Sequence, residues 1–393
     1  MPRRPRTAAV AVIGALACIL GVLLAPSGGS AAAATPIDVT AHETPSAPRL
    51  KGDAATRLLD VPFADPGFYV EGRRRFIYAT GYDDSHGFTA FRVARYDART
   101  GRYGAPRPSM RTRPRWVGPR GGRHARGSLH MWGPHVWKRS VPGPNDYVMY
   151  FSASRRGHAD CLGMAVARRP MGPFHPKPYP LRCGPRGSTL IDPAHFVGRD
   201  GQHYVVYKRK RFQPRSAAIW ALAVKPNGTV KRRARPFRLV EGGRTGVEAP
   251  SLVLRRGHTY LFASRHSFDS CAYETVVYVS RRVRQPFRSL GTLRLHRPRG
   301  ARFCGAGGAE VRKVRGVFRM VFHAFDANPR VVRGARRFAW GVPLRWTRRG
   351  RPYAAPAAAL RAARSEPRAT VSRRTKSGSS SFSPYRSRSW DIR

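Results

Sequence analysis

Residues 195–208 read HFVGRDGQHYVVYK: an apolar stretch, a polar turn carrying Asp200 and Gly201, then the run Tyr204 to Tyr207. β-Branched and aromatic side chains favour strands, and Asp-Gly between two apolar runs marks a tight reversal, so the segment predicts a β-hairpin. The pattern recurs in FYVEGRRRFIYAT (68–80), HVWKRSVPGPNDYVMYFS (135–152), LVLRRGHTYLFAS (252–264) and EVRKVRGVFRMVFHA (310–324). The second strands centre near Tyr78, Tyr150, Val206, Phe262 and Phe322, so successive copies stand 72, 56, 56 and 60 residues apart. Between them lie further strand-like segments, CLGMAVARR (161–169), IWALAVKPNGTV (219–230), TVVYVSRR (275–282) and RFAWGVPLRW (337–346). No segment carries a long apolar stripe of helical period. Repeated four-stranded units pack radially and leave only short sheet edges exposed, so the expectation is an all-β, five-bladed β-propeller over residues 51–346.

The flanks read differently. Residues 1–34 begin with Arg3, Arg4 and Arg6, continue as an apolar run from Thr7 to Ala25 and end in SGGSAAAA, the pattern of a secretory signal peptide cleaved near Ala34. Residues 35–50, rich in Pro, Thr and Ala, read as a linker, and residues 347–393 as an Arg/Ser-rich, low-complexity, disordered tail. The chain is expected to be secreted, with no membrane span after cleavage. Four cysteines remain beyond the signal. The sequence-local pairing, Cys161 with Cys183 and Cys271 with Cys304, is favoured over a zinc site because no two stand in a C-x₂₋₄-C pair.

The 393 residues hold 74 Lys and Arg against 21 Asp and Glu, a formal net charge of +53. With 41% hydrophobic residues the chain still buries a core, which argues against a histone-like arm. No nucleic-acid recognition motif accompanies the charge. The glycine- and arginine-rich stretch GPRGGRHARG (118–127) lacks P-loop spacing and reads as a solvated loop, and neither H-E-x-x-H nor G-x-S-x-G occurs.

Against this basic background the carboxylates stand out. Asp65 in FADPGFYV, Asp192 in LIDPAHFV and Glu248 in GVEAPSLV each precede the first strand of a hairpin beside a proline. Opening strands line a propeller axis, so the three are expected to converge on one pocket. The second copy brings MWGPHV (131–136), with Gly133 at the matching place and Trp132 beside it as a surface for a sugar ring. An Asp-Pro pair is also an ordinary turn signal; three in similar context favour a site.

Taken together, DPGFYVEGRRRFIYAT, MWGPHV, CLGMAVARRPMGPF, IDPAHFVGRDGQHYVVYK, VEAPSLVLRRGHTYLFAS and VFHAF resemble glycoside hydrolase family 43, from about Leu58 to about Trp346. The stretch from Cys161 to Cys183 followed by IDP looks most like its arabinanase and arabinofuranosidase branches. The resemblance implies inverting hydrolysis of α-L-arabinofuranosyl linkages in plant cell-wall polysaccharide. It makes Asp65 the general base, Glu248 the general acid and Asp192 the carboxylate that orients the acid and raises its pKa. Where relatives show Gly-His-Ser opening the fifth blade, this chain has GAGGAEVR (305–312) without histidine, which argues against a central calcium; no cofactor is expected. His323 in VFHAF is a candidate channel-facing, substrate-binding side chain, with a packed structural role as the other reading. Activity on β-xylosides, or polysaccharide binding without turnover, stays open. The charge suits electrostatic adhesion to pectin or anionic cell walls.

Overall fold

The segments YVMYFSAS and DCLGMAVA form strands, Tyr147–Ser154 and Asp160–Ala167, that are buried along their whole length. Strands covered on both faces read as continuous apolar runs, which is why these show no alternation. Each hairpin turn must reverse the chain within a few residues. Gly72, Gly201, Gly257 and Gly316 do so at φ between 56° and 83°, a region glycine enters without steric cost. The second hairpin has a longer loop, closed by Arg139 N–H donating to the Asp146 carbonyl at 2.8 Å.

The computed structural model describes residues 55–81, 91–118, 131–155, 159–212, 216–295, 303–326 and 336–354. Their strands follow one another as antiparallel meanders. The first holds Gly67–Glu71, Arg74–Ala79 and Arg92–Asp97, and the second Met131–Lys138, Tyr147–Ser154 and Asp160–Ala167. The third holds Ser188–Val197, His203–Arg211, Ser216–Val224 and Phe237–Glu241. The fourth, Glu248–Arg255, His258–Arg265, Glu274–Ser280 and Arg288–Thr292, meets the fifth, Phe303–Val314, Val317–Asp326 and Arg337–Trp346, through one parallel bridge from Glu274 to Ala306. These two therefore form one nine-stranded sheet beside sheets of five, five and four strands. The last meander takes the beginning of the described chain as an added strand, with Thr56 opposite Gly341 and Arg57 opposite Trp340.

Apolar cores lie between consecutive meanders. Phe76 and Tyr78 pack with Met149 and Phe151, Tyr150 with Val205 and Leu222, Val206 and Ile219 with Leu261, and Phe262 with Phe322. A further core joins last to first, with Phe68 and Ile77 against Val314 and Val321. The all-β expectation holds; a 3₁₀ turn at Gly243–Thr245 is the only helical element among the described residues.

Both expected disulfides are formed, Cys161–Cys183 and Cys271–Cys304. The first ties two residues that face each other on neighbouring strands, and the second ties the fourth meander's loop to the opening strand of the fifth. The final sheet continues past Trp346, because a Thr347–Arg351 turn returns Pro352–Ala354 onto Arg337–Trp346. The signal, the linker, most of the 118–127 loop and the tail beyond residue 354 lie outside the described residues. Among the described residues no helix is long and apolar enough to cross a membrane.

Candidate active site

Every meander opens with a bulge. At its centre sits a residue with positive φ: Asp65 (50°), Gly133 (61°), Asp192 (54°), Ala249 (49°) and Gly308 (60°). Proline follows in four of the five, and Ala309 in the last. A bulge interrupts the ladder, bends the strand and aims side chains out of the regular pleat. It also leaves an N–H without a ladder partner, and here each is capped by the preceding meander. Gly133 N–H donates to Thr80 Oγ1 (3.2 Å), Asp192 N–H to Ser152 Oγ (2.8 Å) and Gly308 N–H to Ser264 Oγ (2.8 Å). Asp65 N–H donates to His323 Nδ1 (3.0 Å), so the fifth meander caps the first. Ala249 N–H goes to the Asp192 side chain, Oδ2 at 3.1 Å.

This register corrects one sequence expectation. Asp65 and Asp192 occupy equivalent bulge positions, but Glu248 stands one residue earlier, level with Trp132 and Ile191. The equivalent bulge position is Ala249, since the prolines at 66, 134, 193 and 250 align. A one-residue offset turns a strand side chain to another direction, and Glu248 reaches its partners from a different side.

The three carboxylates nonetheless line one cavity of about 1020 Å³, together with Trp132, Lys208 and Tyr273. Phe212 and Phe268, each about half exposed, stand on its wall. Asp65 Oδ1 accepts from Arg337 Nη1 at 2.8 Å and Oδ2 from Thr80 Oγ1 at 2.6 Å. Burial pushes the Asp65 carboxyl up, but the Arg337 guanidinium and the Thr80 hydroxyl outweigh it and hold the group below the usual carboxylate range. Glu248 Oε1 accepts from Tyr273 OH at 2.8 Å, and Oε2 is bound by Lys208 Nζ. Asp192 is pushed up to about 7, first by burial and then by the Glu248 charge, with Lys208 opposing. The cavity thus holds an ionised carboxylate on one side. On the other stands Asp192, a carboxyl that burial and the neighbouring Glu248 charge keep protonated to near neutrality.

His323 lies beneath this floor. It is fully buried, stacks on Tyr273 with ring centroids 5.6 Å apart, and burial followed by the Arg337 charge pushes it down to about 3. A neutral ring that accepts the Asp65 N–H positions Asp65; it does not reach the cavity as a substrate contact. Gly308 makes room for it, since a Cβ there would come within 2.7 Å of His323 Cε1. Gly133 similarly leaves space beside Asp192, whose Oδ1 would lie 3.3 Å from an added Cβ. Below the bulge layer, Glu310 accepts the Phe68 N–H at 2.6 Å and pairs with His135 Nδ1 at 3.2 Å and with Arg312. Among the described residues no cluster of three His, Cys, Asp or Glu side chains could hold a metal ion.

Residues 110–352 match the model of the glycosyl hydrolases family 43. The chain belongs to that family. Solved structures of family 43 proteins share its sheet arrangement. The native arabinanase Arb43A of Bacillus subtilis is 18% identical, with 75% of this chain and 98% of that one covered at a TM-score of 0.56. An α-L-arabinofuranosidase from Lactobacillus brevis is 16% identical, covering 75% and 95% at 0.58. At these identities the likeness speaks for the fold. A sequence relative, Xylosidase/arabinosidase 43A of Humicola insolens, is 35% identical over 80 residues, which are 20% of this chain and 22% of that protein.

Within this family 43 site, Asp65, Asp192, Glu248 and Trp132 all line the cavity as expected from sequence. Sequence reasoning missed Thr80, Lys208, Tyr273 and Arg337. Two of them carried a signal: Thr80 and Lys208 close the first and third repeated hairpins, as Ser152 and Ser264 close the second and fourth. Tyr273 and Arg337 lie outside the repeated hairpins, in the 271–304 cystine loop and at the start of the last long strand.

Proposed function

We propose that the chain is a secreted glycosidase that cleaves α-L-arabinofuranosyl linkages of arabinan- or arabinoxylan-type polysaccharides with inversion, on a ring of five blades. The observation that carries the reading is three carboxylates on one cavity, Asp65 held down by Arg337 and Thr80 and Asp192 raised by burial beside Glu248. Asp65, held ionised, takes a proton from water as the water oxygen attacks the anomeric carbon. The glycosidic C–O bond breaks, and its oxygen takes a proton from Glu248, with Asp192 as the neighbouring carboxyl. Solvent then carries the proton from Asp65 back to the pair. Trp132, Phe212 and Phe268 offer apolar faces to sugar rings.

β-Xylosides form the second reading, favoured by a relative whose name joins xylosidase and arabinosidase. The test is expression with export, N-terminal sequencing of the secreted form, and hydrolysis of debranched arabinan and of aryl arabinofuranoside and xyloside. Arabinose or arabino-oligosaccharide release, abolished in Asp65→Ala and Glu248→Ala, is expected, with a mature start near residue 35. Xylose release alone moves the substrate to xylosides. No turnover, with tight polysaccharide binding, overturns the catalytic reading.

The charge of +53 favours adhesion to polyanionic pectin, which would hold the enzyme near arabinan side chains. Retention on immobilised pectin is expected at low salt and lost by about 1 M salt, where the Debye length falls to about 3 Å. Retention that survives such salt counts against an electrostatic hold.

A further inference from the structure

We propose that Lys208 is the positioning residue of the acid side of the site: its ammonium pairs with Glu248, and because it cannot cap the Ala249 N–H that donor is left to Asp192, so one side chain places both carboxylates. This rests on the glycosidase reading for its role in turnover. Its physical content stands on the geometry alone.

The bulge caps recur from meander to meander. Thr80, Ser152, Lys208, Ser264 and His323 occupy one position in the five second strands: the middle pairs are Trp132 with Ser152, Ile191 with Lys208, Glu248 with Ser264 and Gly307 with His323. Thr80 takes the first place, its N–H donating to the Ala64 carbonyl at 3.1 Å. Four of the five accept the bulge N–H of the next meander. A lysine ammonium has three donors and no acceptor, so Lys208 cannot. Two consequences follow at once. The Ala249 N–H takes Asp192 Oδ2 instead, which turns that carboxylate toward the fourth meander, where Glu248 begins. Lys208 Nζ, with no cap to make, binds Glu248 Oε2. Breaking the repeat at one residue thereby orients one carboxylate and supplies a counter-charge to the other.

The pair is sheltered, with side chains only 11% and 13% exposed, so solvent screens it little. The charged and titratable groups around it are Asp192, Glu248, Tyr273 and, across the cavity, Asp65 with its Arg337, while Lys210 and His266 line the same cavity. The Lys208 ammonium stands against Glu248 Oε2 and favours the ionised form of Asp192. Without it Asp192 loses a compensating charge and keeps its proton to higher pH.

The experiment compares wild type with Lys208→Met, Lys208→Gln and Lys208→Arg. The alkaline limb of kcat/KM on aryl arabinofuranoside and xyloside reports loss of the acid's proton. It is expected to move up by about one pH unit or more in Lys208→Met and Lys208→Gln, and to stay close to wild type in Lys208→Arg. Side-chain carboxyl ¹³C NMR titration of the same proteins is expected to show the Asp192/Glu248 steps displaced in the same direction. An unmoved limb and unmoved carboxyl titrations in either folded neutral variant would overturn the proposal and leave Lys208 a packing residue. If wild type turns over neither glycoside, the glycosidase reading fails, while the NMR titration still decides whether Lys208 governs the pair.

Discussion

Asp65→Asn is expected to lower kcat by about 10²- to 10⁴-fold, the range that a positioned base contributes, while the protein melts near the wild-type temperature. Asparagine is nearly isosteric with aspartate and is well tolerated at φ near 50°. Its carbonyl oxygen can still accept from Arg337, its backbone N–H still reaches His323, and its amide can donate to Thr80 Oγ1. Only the capacity to take a proton is lost, so the fall belongs in kcat more than in KM. Parallel kinetics on an aryl glycoside and thermal melts separate the two. A folded Asp65→Asn protein that keeps more than about a tenth of wild-type kcat would remove Asp65 from the base role.

The largest stability effect is expected outside the catalytic carboxylates, at Glu310. Its side chain is 8% exposed, and it takes the Phe68 N–H from the first meander, His135 from the second and Arg312 from its own strand. Glu310→Ala leaves a guanidinium and a buried N–H without their partner. Breaking a buried pair from one side costs about 3–5 kcal/mol, or roughly 10 °C in melting temperature for a chain of this size. A drop of less than about 1 kcal/mol by denaturant melts would show that water replaces the carboxylate.

The pH dependence has a definite sign. Burial pushes the Glu310 carboxyl up, but Arg312 and His135 outweigh it and hold it below its usual value. Its stabilisation is present above the unfolded pKa and is lost as pH falls through the folded one, so the variant should lose less stability than wild type on acidification. His135, His195 and His323 are depressed, by burial first, and so contribute stability that wanes as pH drops below about 6.5. Asp192 acts oppositely. Raised to about 7, it is destabilised relative to the unfolded chain as pH climbs from about 4 to about 7.

Much of this is legible in the sequence. Period, turn glycines and aromatic second strands are local properties, and the hairpins they predict are all present because hairpin pairing is decided by residues a few positions apart. The disulfides were legible for the same reason, each closing a segment within or between adjacent meanders. Asp65 and Asp192 were visible because acids are scarce and both precede proline. Glu248 was found by the same signal but placed one residue off register, because EAP aligns with DP by its acid or by its proline, and the choice depends on where the bulge falls.

His323 shows where local reading stops. Its sequence context allowed a channel-facing ligand or a packed side chain, and the distinction depends on Asp65, 258 residues away, whose N–H it accepts. Arg337 on Asp65 and Lys208 on Glu248 are likewise partnerships across meanders, spanning 272 and 40 residues. The all-β repeat, its turns, its cystines and the candidate carboxylates follow from residue type and short spacing. Which carboxylate is lowered, which is raised and which cation stands beside each was decided only by contacts between meanders. Electrostatic environment depends on distance and burial, and those are properties of the packed meanders.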